Sequence, residues 1–216
     1  MDAAFFDLDR TLLTANSGRL WLWNERREGR LGNAQLLLGG WYLALYHLGL
    51  VDMEAAILRA LETIRGLEEE TVRNRTREWF DRVVAPCEAP GARRVLEDHR
   101  ARGHRLVLLT TSSPYAAECA LAHFGLDHAL SMRYEVRDGR FTGAFIPPLC
   151  FGPGKVTAAE ALAAREDLDL DRSWFYTDSY TDLPMLERVG HPRVVNPDPR
   201  LRRHARRTGW PVLDWR

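Results

Sequence analysis

The spacing of apolar residues changes along the chain and divides it into three parts. The apolar run AAFF at residues 3–6 predicts a buried strand. Over residues 17–84, apolar positions recur at helical spacing, and this block shows no strand-like alternation. We therefore predict a helical bundle inserted directly after the first strand. Its predicted helices span residues 17–27, 34–47, 53–65 and 69–84.

In the rest of the chain, apolar runs of strand length alternate with segments of helical periodicity. Ser113 and Pro114 supply an N-cap and a first-turn proline for a helix that ends at Gly125. The pair Asp138-Gly139 between two short runs predicts a hairpin turn. Strands separated by helices imply an α/β fold with a mostly parallel sheet flanked by helices. The other predicted helices are 90–102, 155–164 and 183–189, and the predicted strands are 105–110, 129–134, 174–177 and 193–196.

Composition and charge limit the classes of partner. Lys plus Arg and Asp plus Glu both total 30 among 216 residues, so no net charge attracts the chain to nucleic acid or to an anionic membrane. Arginines in the stretch 200–207 are interpreted as the solvated face of a helix, and no nucleic-acid partner is expected. Cys87, Cys119 and Cys150 are far apart and odd in number, which argues against a disulfide framework or a zinc site. Because no signal segment precedes the first strand, we expect a cytoplasmic protein, monomeric or homodimeric.

One strongly apolar segment, LLLGGWYLALYHLGLV at 36–51, requires separate consideration. It has 16 residues and is interrupted by Gly39-Gly40, whereas a membrane span needs roughly 20 apolar residues. A buried helix or helical hairpin is the favoured interpretation, and a surface that faces substrate or lipid is the alternative. We therefore expect no stable membrane insertion.

Carboxylates follow the first predicted strand directly, in the sequence Asp7-Leu8-Asp9-Arg10-Thr11. Ligands of open α/β sheets bind at the carboxyl ends of the strands, which is where Asp7 and Asp9 are placed. Two carboxylates at such a position either chelate a hard cation or share the work of nucleophile and acid/base. Both interpretations require partners further along the chain.

Three further polar clusters lie at the ends of predicted strands or tight turns, each before a predicted helix. Hydroxyls at 110–113 precede one helix, Lys155 follows a Gly-Pro-Gly turn, and Asp178 and Asp182 follow the strand at 174–177. Each cluster alone is explained as a helix cap or a surface feature. Together they would bring carboxylates, a lysine and a hydroxyl to one edge of the sheet, an arrangement that suits a phosphate and Mg²⁺.

The four clusters, in this order, resemble the motifs of haloacid dehalogenase (HAD) superfamily phosphatases of the phosphoserine-phosphatase-like branch. DLDRT is similar to the D-x-D-x-T motif, Thr111 lies at the hydroxyl motif and Lys155 at the lysine motif. TDSYTD is similar to the fourth motif, with Thr177 in place of the usual glycine. The resemblance implies a Rossmann-like, mostly parallel sheet with an inserted α-helical cap. The implied catalytic core is 1–13 plus 86–216, and the implied cap is 14–85.

The resemblance also implies a role for each motif residue. Asp7 would be the nucleophile that forms an aspartyl phosphate, and Asp9 the general acid and base. The cofactor would be Mg²⁺, held by Asp7, Asp178 and the backbone carbonyl of Asp9, with Asp182 in or just behind that shell. The implied phosphate-binding residues are Thr11, Thr111, Ser112 and Lys155.

The substrate is less well defined by the sequence. Phosphoserine phosphatases of this family carry a glutamate where this chain has Asn16, and a neutral amide loses a charge-assisted contact worth about 1.5–3 kcal/mol. Arg10 either adds positive charge near the phosphate or is a surface arginine. The expected function is Mg²⁺-dependent hydrolysis of a small soluble phosphomonoester. The alternatives are histidinol phosphate, a lipid phosphate or phosphotransfer, and a non-catalytic binding module is the least favoured.

Overall fold

A computed structural model describes residues 1–30, 32 and 53–215 of the chain. The predicted helix at 34–47 and the whole of the apolar segment 36–51 therefore lie outside the described residues. Within the described ranges, no helix combines the length and the apolar character needed to cross a bilayer.

Six strands form one sheet in the order β3-β2-β1-β6-β7-β8, and every pairing between neighbours is parallel. The predicted α/β fold with a mostly parallel sheet is confirmed. The edge strand β8 was not predicted, because two residues are too few to form a recognisable pattern. The strands are β1 Ala3–Phe6, β2 Arg105–Leu109, β3 His128–Leu130, β6 Trp174–Thr177, β7 His191–Val195 and β8 Val212–Leu213.

Helices precede and follow these strands in the predicted order. The prediction for 53–65 was too long, because the helix ends at Glu62 and a turn with Gly66 at φ 77° follows. Within the predicted helix 69–84, the α-helix extends to Trp79, and a π-helical turn, Phe80–Val84, follows it. The described helices are α1 Ser17–Arg27, α2 Met53–Glu62, α3 Glu69–Trp79, α4 Ala92–Ala101, α5 Pro114–Phe124, α6 Pro153–Glu166, α7 Leu183–Arg188 and α8 Pro199–Thr208.

The sheet is buried on both faces, as its parallel strands require. Alternate residues of β1 point to opposite sides, so that Phe6 joins one hydrophobic cluster and Phe5 the other, and both are fully buried. Helices α4 and α5 cover the Phe6 side, and α6, α7 and α8 cover the Phe5 side. This packing fixes the carboxyl end of β1 in the middle of the sheet.

A separate antiparallel hairpin connects the helical insertion to the rest of the fold. Its strands are β4 Tyr134–Arg137 and β5 Arg140–Phe145, joined at the predicted turn, where Asp138 and Gly139 both have positive φ. The predicted strand 129–134 is wrong in extent, since β3 ends at Leu130 and Tyr134 begins β4. The Glu69 N–H donates to the Gly139 carbonyl at 2.9 Å, so the hairpin holds the start of α3.

The chain leaves the sheet and returns to it at neighbouring points. Leu13 and Glu88 form an isolated antiparallel bridge, and the Thr14 N–H donates to the Cys87 carbonyl at 2.8 Å. All of α1, α2 and α3 lie between these two points. The helical segment is therefore an insertion whose two ends meet beside β1.

Candidate active site

Asp7 and Asp178 follow two neighbouring strands of the sheet. Strands β1 and β6 are paired in parallel with Phe6 opposite Tyr176, and the Asp7 N–H donates to the Tyr176 carbonyl at 2.9 Å. Both carboxylates therefore lie at the carboxyl edge of the sheet, and both residues are buried. This is the position that the sequence predicted for them.

The chain turns sharply after Asp7 through a π-helical turn, Leu8–Leu12. Leu8 points into the core, while Asp9 remains partly exposed. Arg10 has a left-handed backbone with φ 60°, and its exposed guanidinium lies 3.8 Å from the Asp178 carboxylate. Thr11 is completely buried, and its hydroxyl has no hydrogen-bond partner within the described part of the chain. The structure thus places Thr11 inside the fold, away from solvent, and its contact with phosphate stays a prediction.

Lys155 connects two of the predicted aspartates. Its ammonium donates to Asp7 Oδ1 at 2.7 Å and to Asp182 Oδ2 at 2.8 Å, and the residue is only 2% exposed. The lysine reaches this point because it lies in the first turn of α6, directly after Gly154. A Cβ at Gly154 would lie 1.8 Å from the Leu149 carbonyl oxygen, so only glycine fits this close approach.

The site contains more negative than positive groups. Burial raises the pKa of Asp7 to about 7, although Lys155 opposes the shift. Burial, and then the charge of Asp7, raise the pKa of Asp178 to about 8. Burial alone would lower the pKa of Lys155, but Asp182 and Asp7 outweigh it and the pKa is raised. The surplus of carboxylates makes this site receptive to a cation.

The side chains of Asp7 and Asp178 supply oxygen ligands of the kind that Mg²⁺ prefers. The other two predicted metal ligands use their side chains differently. Asp182 Oδ2 accepts from Lys155 and, at 2.7 Å, from the Thr177 hydroxyl, and Asp9 is bonded to the start of α1. No group of three or more His, Cys, Asp or Glu side chains in the described ranges is arranged to hold a metal ion. The residues therefore fit Mg²⁺ as two carboxylates that would be completed by the Asp9 carbonyl.

Asp9 is held at both oxygens by the start of α1. The Ser17 N–H donates to Asp9 Oδ1 at 2.7 Å, and Asn16 Nδ2 donates to Asp9 Oδ2 at 3.2 Å. Burial raises the pKa of Asp9, while the bonds from Ser17 act in the opposite direction. Asn16, predicted to influence specificity, also accepts a bond from the Arg19 N–H at 2.9 Å and so caps α1.

The hydroxyl cluster lies in the loop between β2 and α5, at the same sheet edge. The Thr111 hydroxyl donates to the Cys150 carbonyl at 2.9 Å, which ties this loop to the turn that precedes Lys155. The Ser112 hydroxyl lies 3.1 Å from that of Ser17, at the start of the helical insertion. Ser113 caps α5, as predicted, by accepting from the Ala116 N–H. The loop that carries Thr111 and Ser112 is therefore tied to the turn before Lys155, whereas the Thr11 hydroxyl is buried without a described partner.

Sequence reasoning missed two residues of the site. Thr177 is completely buried and donates to Asp182, and its signal in the sequence was its replacement of the usual glycine of the fourth motif. Ser17 contacts both Asp9 and Ser112, and no local pattern marked it. Both residues support motif side chains.

The family model of the haloacid dehalogenase-like hydrolases matches residues 4–187 of the chain. An "inhibition of morphological differentiation protein" of Streptomyces azureus is 36% identical over 99% of this chain and 78% of its own length. A phosphoserine phosphatase of Mycobacterium tuberculosis is 35% identical over 99% of this chain and 71% of its own length. A histidinol-phosphatase of Neisseria meningitidis is 27% identical over 99% and 98% of the two chains.

The fold is shared with a crystal structure of a protein of unknown function from Bordetella pertussis. The TM-score is 0.92, with 30% sequence identity over 100% of this chain and 99% of the other. The family match spans β1, the hydroxyl loop, Lys155 and both aspartates of the fourth motif. The chain belongs to the haloacid dehalogenase-like hydrolases, and it is a phosphatase of their phosphoserine-phosphatase-like branch.

Proposed function

We propose that this phosphatase hydrolyses a small soluble phosphomonoester through an aspartyl phosphate on Asp7, with Mg²⁺ as cofactor. The observation that carries the proposal is the 2.7 Å contact between Lys155 Nζ and Asp7 Oδ1 at the carboxyl end of β1. A carboxylate fixed by a buried ammonium, beside the carboxylate of Asp178, combines a nucleophile with the charges that a phosphoryl group and its cation require.

Asp7 and Asp9 perform different steps of the proposed reaction. Asp7 attacks phosphorus, and the bond between phosphorus and the ester oxygen breaks. Asp9 gives its proton to the departing alcohol and then takes a proton from the water that hydrolyses the aspartyl phosphate. Lys155, Thr111 and Ser112 bind the phosphoryl oxygens, and Lys155 offsets the charge that develops in the transition state.

The proposed Mg²⁺ site uses the Asp7 and Asp178 carboxylates and the Asp9 carbonyl, with Asp182 orienting Lys155 from behind. When bound, Mg²⁺ supplies positive charge that lets the anionic nucleophile approach an anionic phosphate. The raised pKa values of Asp7 and Asp178 support this assignment, because burial, and then neighbouring carboxylates, disfavour an anion that a bound cation would stabilise.

The proposed domain division is a core of 1–13 plus 86–216 and a helical cap of 14–85. The neighbouring ends of the insertion support it, and so do contacts between the two parts. Arg73 of α3 forms an ion pair with Glu118 of α5 at 2.5 Å, and the Tyr115 hydroxyl donates to Glu69 at 3.1 Å. These contacts place the insertion against the helix that begins at the hydroxyl loop.

The substrate we favour is a small phosphomonoester other than phosphoserine. Asn16 stands where phosphoserine phosphatases carry a glutamate, and both ends of its amide are engaged within the protein. Histidinol phosphate is one specific candidate of this kind, because the Neisseria histidinol-phosphatase aligns over nearly the whole of both chains. A lipid phosphate and phosphotransfer follow. A non-catalytic module is disfavoured, because Asp7, Asp9 and Asp178 are all present.

The test is phosphate release from a panel of phosphomonoesters with and without Mg²⁺. The panel contains phosphoserine, histidinol phosphate, sugar phosphates, nucleotides and lysophosphatidate. We expect Mg²⁺-dependent turnover that Asp7→Asn reduces by at least about 10³-fold while the protein stays folded. Turnover at the wild-type level in Asp7→Asn would contradict the assignment of the nucleophile. A folded protein that binds Mg²⁺ but releases no phosphate from any ester would favour a transferase.

A further inference from the structure

The carboxylate of Asp9 is oriented by the helical insertion, in addition to the turn that carries it. Its two oxygens accept bonds from two consecutive residues, Asn16 and Ser17, at 3.2 and 2.7 Å. The Ser17 bond comes from the backbone and is available to any residue except proline at that position. The Asn16 bond comes from a side chain, so it depends on the identity of that residue.

The amide of Asn16 can adopt only one orientation in this setting. Its Oδ1 faces the Arg19 N–H at 2.9 Å, and a backbone N–H can only donate. The amide nitrogen must therefore face Asp9, where it donates to Oδ2. One side chain thus caps α1 and fixes the plane of the Asp9 carboxylate, which couples the position of the helix to that of the carboxylate.

We propose that Asn16 is a positioning residue for the general acid Asp9 and not a group that recognises the substrate. The inference rests on the proposed function, since it assigns Asn16 a role in the step that Asp9 performs there. It also explains how a neutral residue can occupy this position, because its hydrogen-bonding groups are committed to α1 and Asp9. The effect of Asn16 is therefore expected in leaving-group protonation.

The positioning role of Asn16 is detected with a substrate whose leaving group must be protonated. Benzyl phosphate releases an alkoxide that must be protonated, whereas p-nitrophenyl phosphate releases a stable phenolate that needs little help. The two esters are similar in size, so a change in substrate binding affects them alike. The ratio kcat/KM reports only steps up to departure of the alcohol, so the later attack of water does not mask the difference.

The variant Asn16→Ser tests the proposal, because serine keeps an N-cap for α1 but lacks the amide that reaches Asp9. We expect kcat/KM in Mg²⁺ to fall about tenfold for benzyl phosphate and less than about twofold for p-nitrophenyl phosphate. Asp9→Asn should show the same selectivity with a larger loss. The matched control is Asn24→Ser, which removes another asparagine of α1, bonded to Arg82 at 3.0 Å. It should change thermal stability without changing the ratio between the two esters.

The outcomes separate this inference from the function on which it rests. A wild-type protein inactive on both esters and on the wider panel would overturn the proposed function. An active wild type with equal losses on both esters in Asn16→Ser would overturn the inference alone and assign Asn16 to substrate binding or folding. Unchanged kinetics on both esters would overturn it as well. Asn16→Thr is a second variant that keeps an N-cap for α1 and lacks the amide, so it should reproduce the benzyl-specific loss of Asn16→Ser.

Discussion

Two buried polar clusters lie on opposite faces of strand β6 and handle charge in different ways. Tyr176 and Thr177 are consecutive, so their side chains point to opposite sides of the sheet. The Tyr176 hydroxyl lies 2.8 Å from His99 Nε2, whose Nδ1 lies 2.8 Å from His104 Nδ1. The Thr177 hydroxyl donates to Asp182, which accepts from Lys155. One cluster is built from neutral groups and the other from charges.

The neutral cluster is completed by the fold itself. Burial lowers the pKa of His99 to about 4, so the ring is uncharged near neutral pH. One of its nitrogens therefore donates a hydrogen bond and the other accepts one. The charged cluster is left with more carboxylates than ammonium groups. The comparison indicates that the first cluster serves stability, whereas the second keeps a surplus of negative charge, to which the proposed Mg²⁺ and phosphate would bind.

The largest expected effect comes from removing the one buried ammonium of the charged cluster. In Lys155→Met, two buried carboxylates lose their partner, and we expect the free energy of unfolding to fall by about 3–5 kcal/mol. Urea denaturation monitored by tryptophan fluorescence measures this change. Phosphatase activity should be lost as well.

The matched control for Lys155→Met is Arg188→Met. Arg188 also contacts two carboxylates, Glu160 and Asp171, each at 2.9 Å, but its side chain is 36% exposed. Solvent screening limits such pairs, so the expected loss is below about 1 kcal/mol. Equal losses in the two variants would show that burial does not determine the cost of losing the cation.

The neutral cluster should lose stability in acid. The pKa of His99 is about 6.5 in the unfolded chain but about 4 in the folded protein. Between these values only the unfolded state binds the proton, so the stabilisation is complete above about pH 6.5 and is lost as the pH falls toward 4. In His99→Leu, the difference from wild type in unfolding free energy should shrink by about 2–3 kcal/mol over this range.

Tyr176→Phe is the control for the acid effect. It removes the hydroxyl that meets His99 but keeps the titrating ring, so its stability should run parallel to that of the wild type as the pH falls. A difference between wild type and His99→Leu that does not change between pH 7 and 4 would refute the neutral character of the cluster.

The sequence was sufficient to predict the order of elements and the edge at which the site forms. Local chemistry set these features: Ser113 caps α5, Gly125 ends it with φ 63°, and the turn at Asp138-Gly139 forms the hairpin. Strand β8 and the early end of α2 were missed, because two-residue pairings and turn positions depend on tertiary contacts. The helix 34–47 lies outside the described residues.

The pairing of side chains within the site was beyond the sequence. Asp7, Lys155 and Asp182 were predicted to meet, but nothing in their spacing indicated that Asp182 would turn to Lys155 and Thr177. Likewise, Asn16 was placed by resemblance at a position that recognises substrate, whereas its amide is bonded to Asp9 and α1. Which partner a charged group selects depends on packing between distant segments, and a linear pattern does not encode it.

The smallest expected effect concerns Arg10, the exposed charge at the rim of the charged cluster. Its guanidinium lies 3.8 Å from the Asp178 carboxylate and its side chain is 64% exposed, so the pair should contribute less than about 0.5 kcal/mol to stability. Arg10→Asn tests this without backbone strain, since asparagine tolerates the φ of 60° at this position. We expect unfolding free energy to stay unchanged and Mg²⁺ to bind a few-fold more tightly in calorimetry, because a positive charge beside a proposed ligand is removed.

The control variant Arg10→Lys keeps a positive charge on a long side chain and should bind Mg²⁺ as the wild type does. Weaker Mg²⁺ binding in Arg10→Asn would mean that Arg10 assists the cation instead of competing with it. A large loss of stability would place Arg10 with the buried charges of Lys155 and Asp182. Tighter Mg²⁺ binding at unchanged stability would instead show that Arg10 lies outside the buried charged cluster. Solvent would then screen its interaction with Asp178 enough to remove any effect on stability.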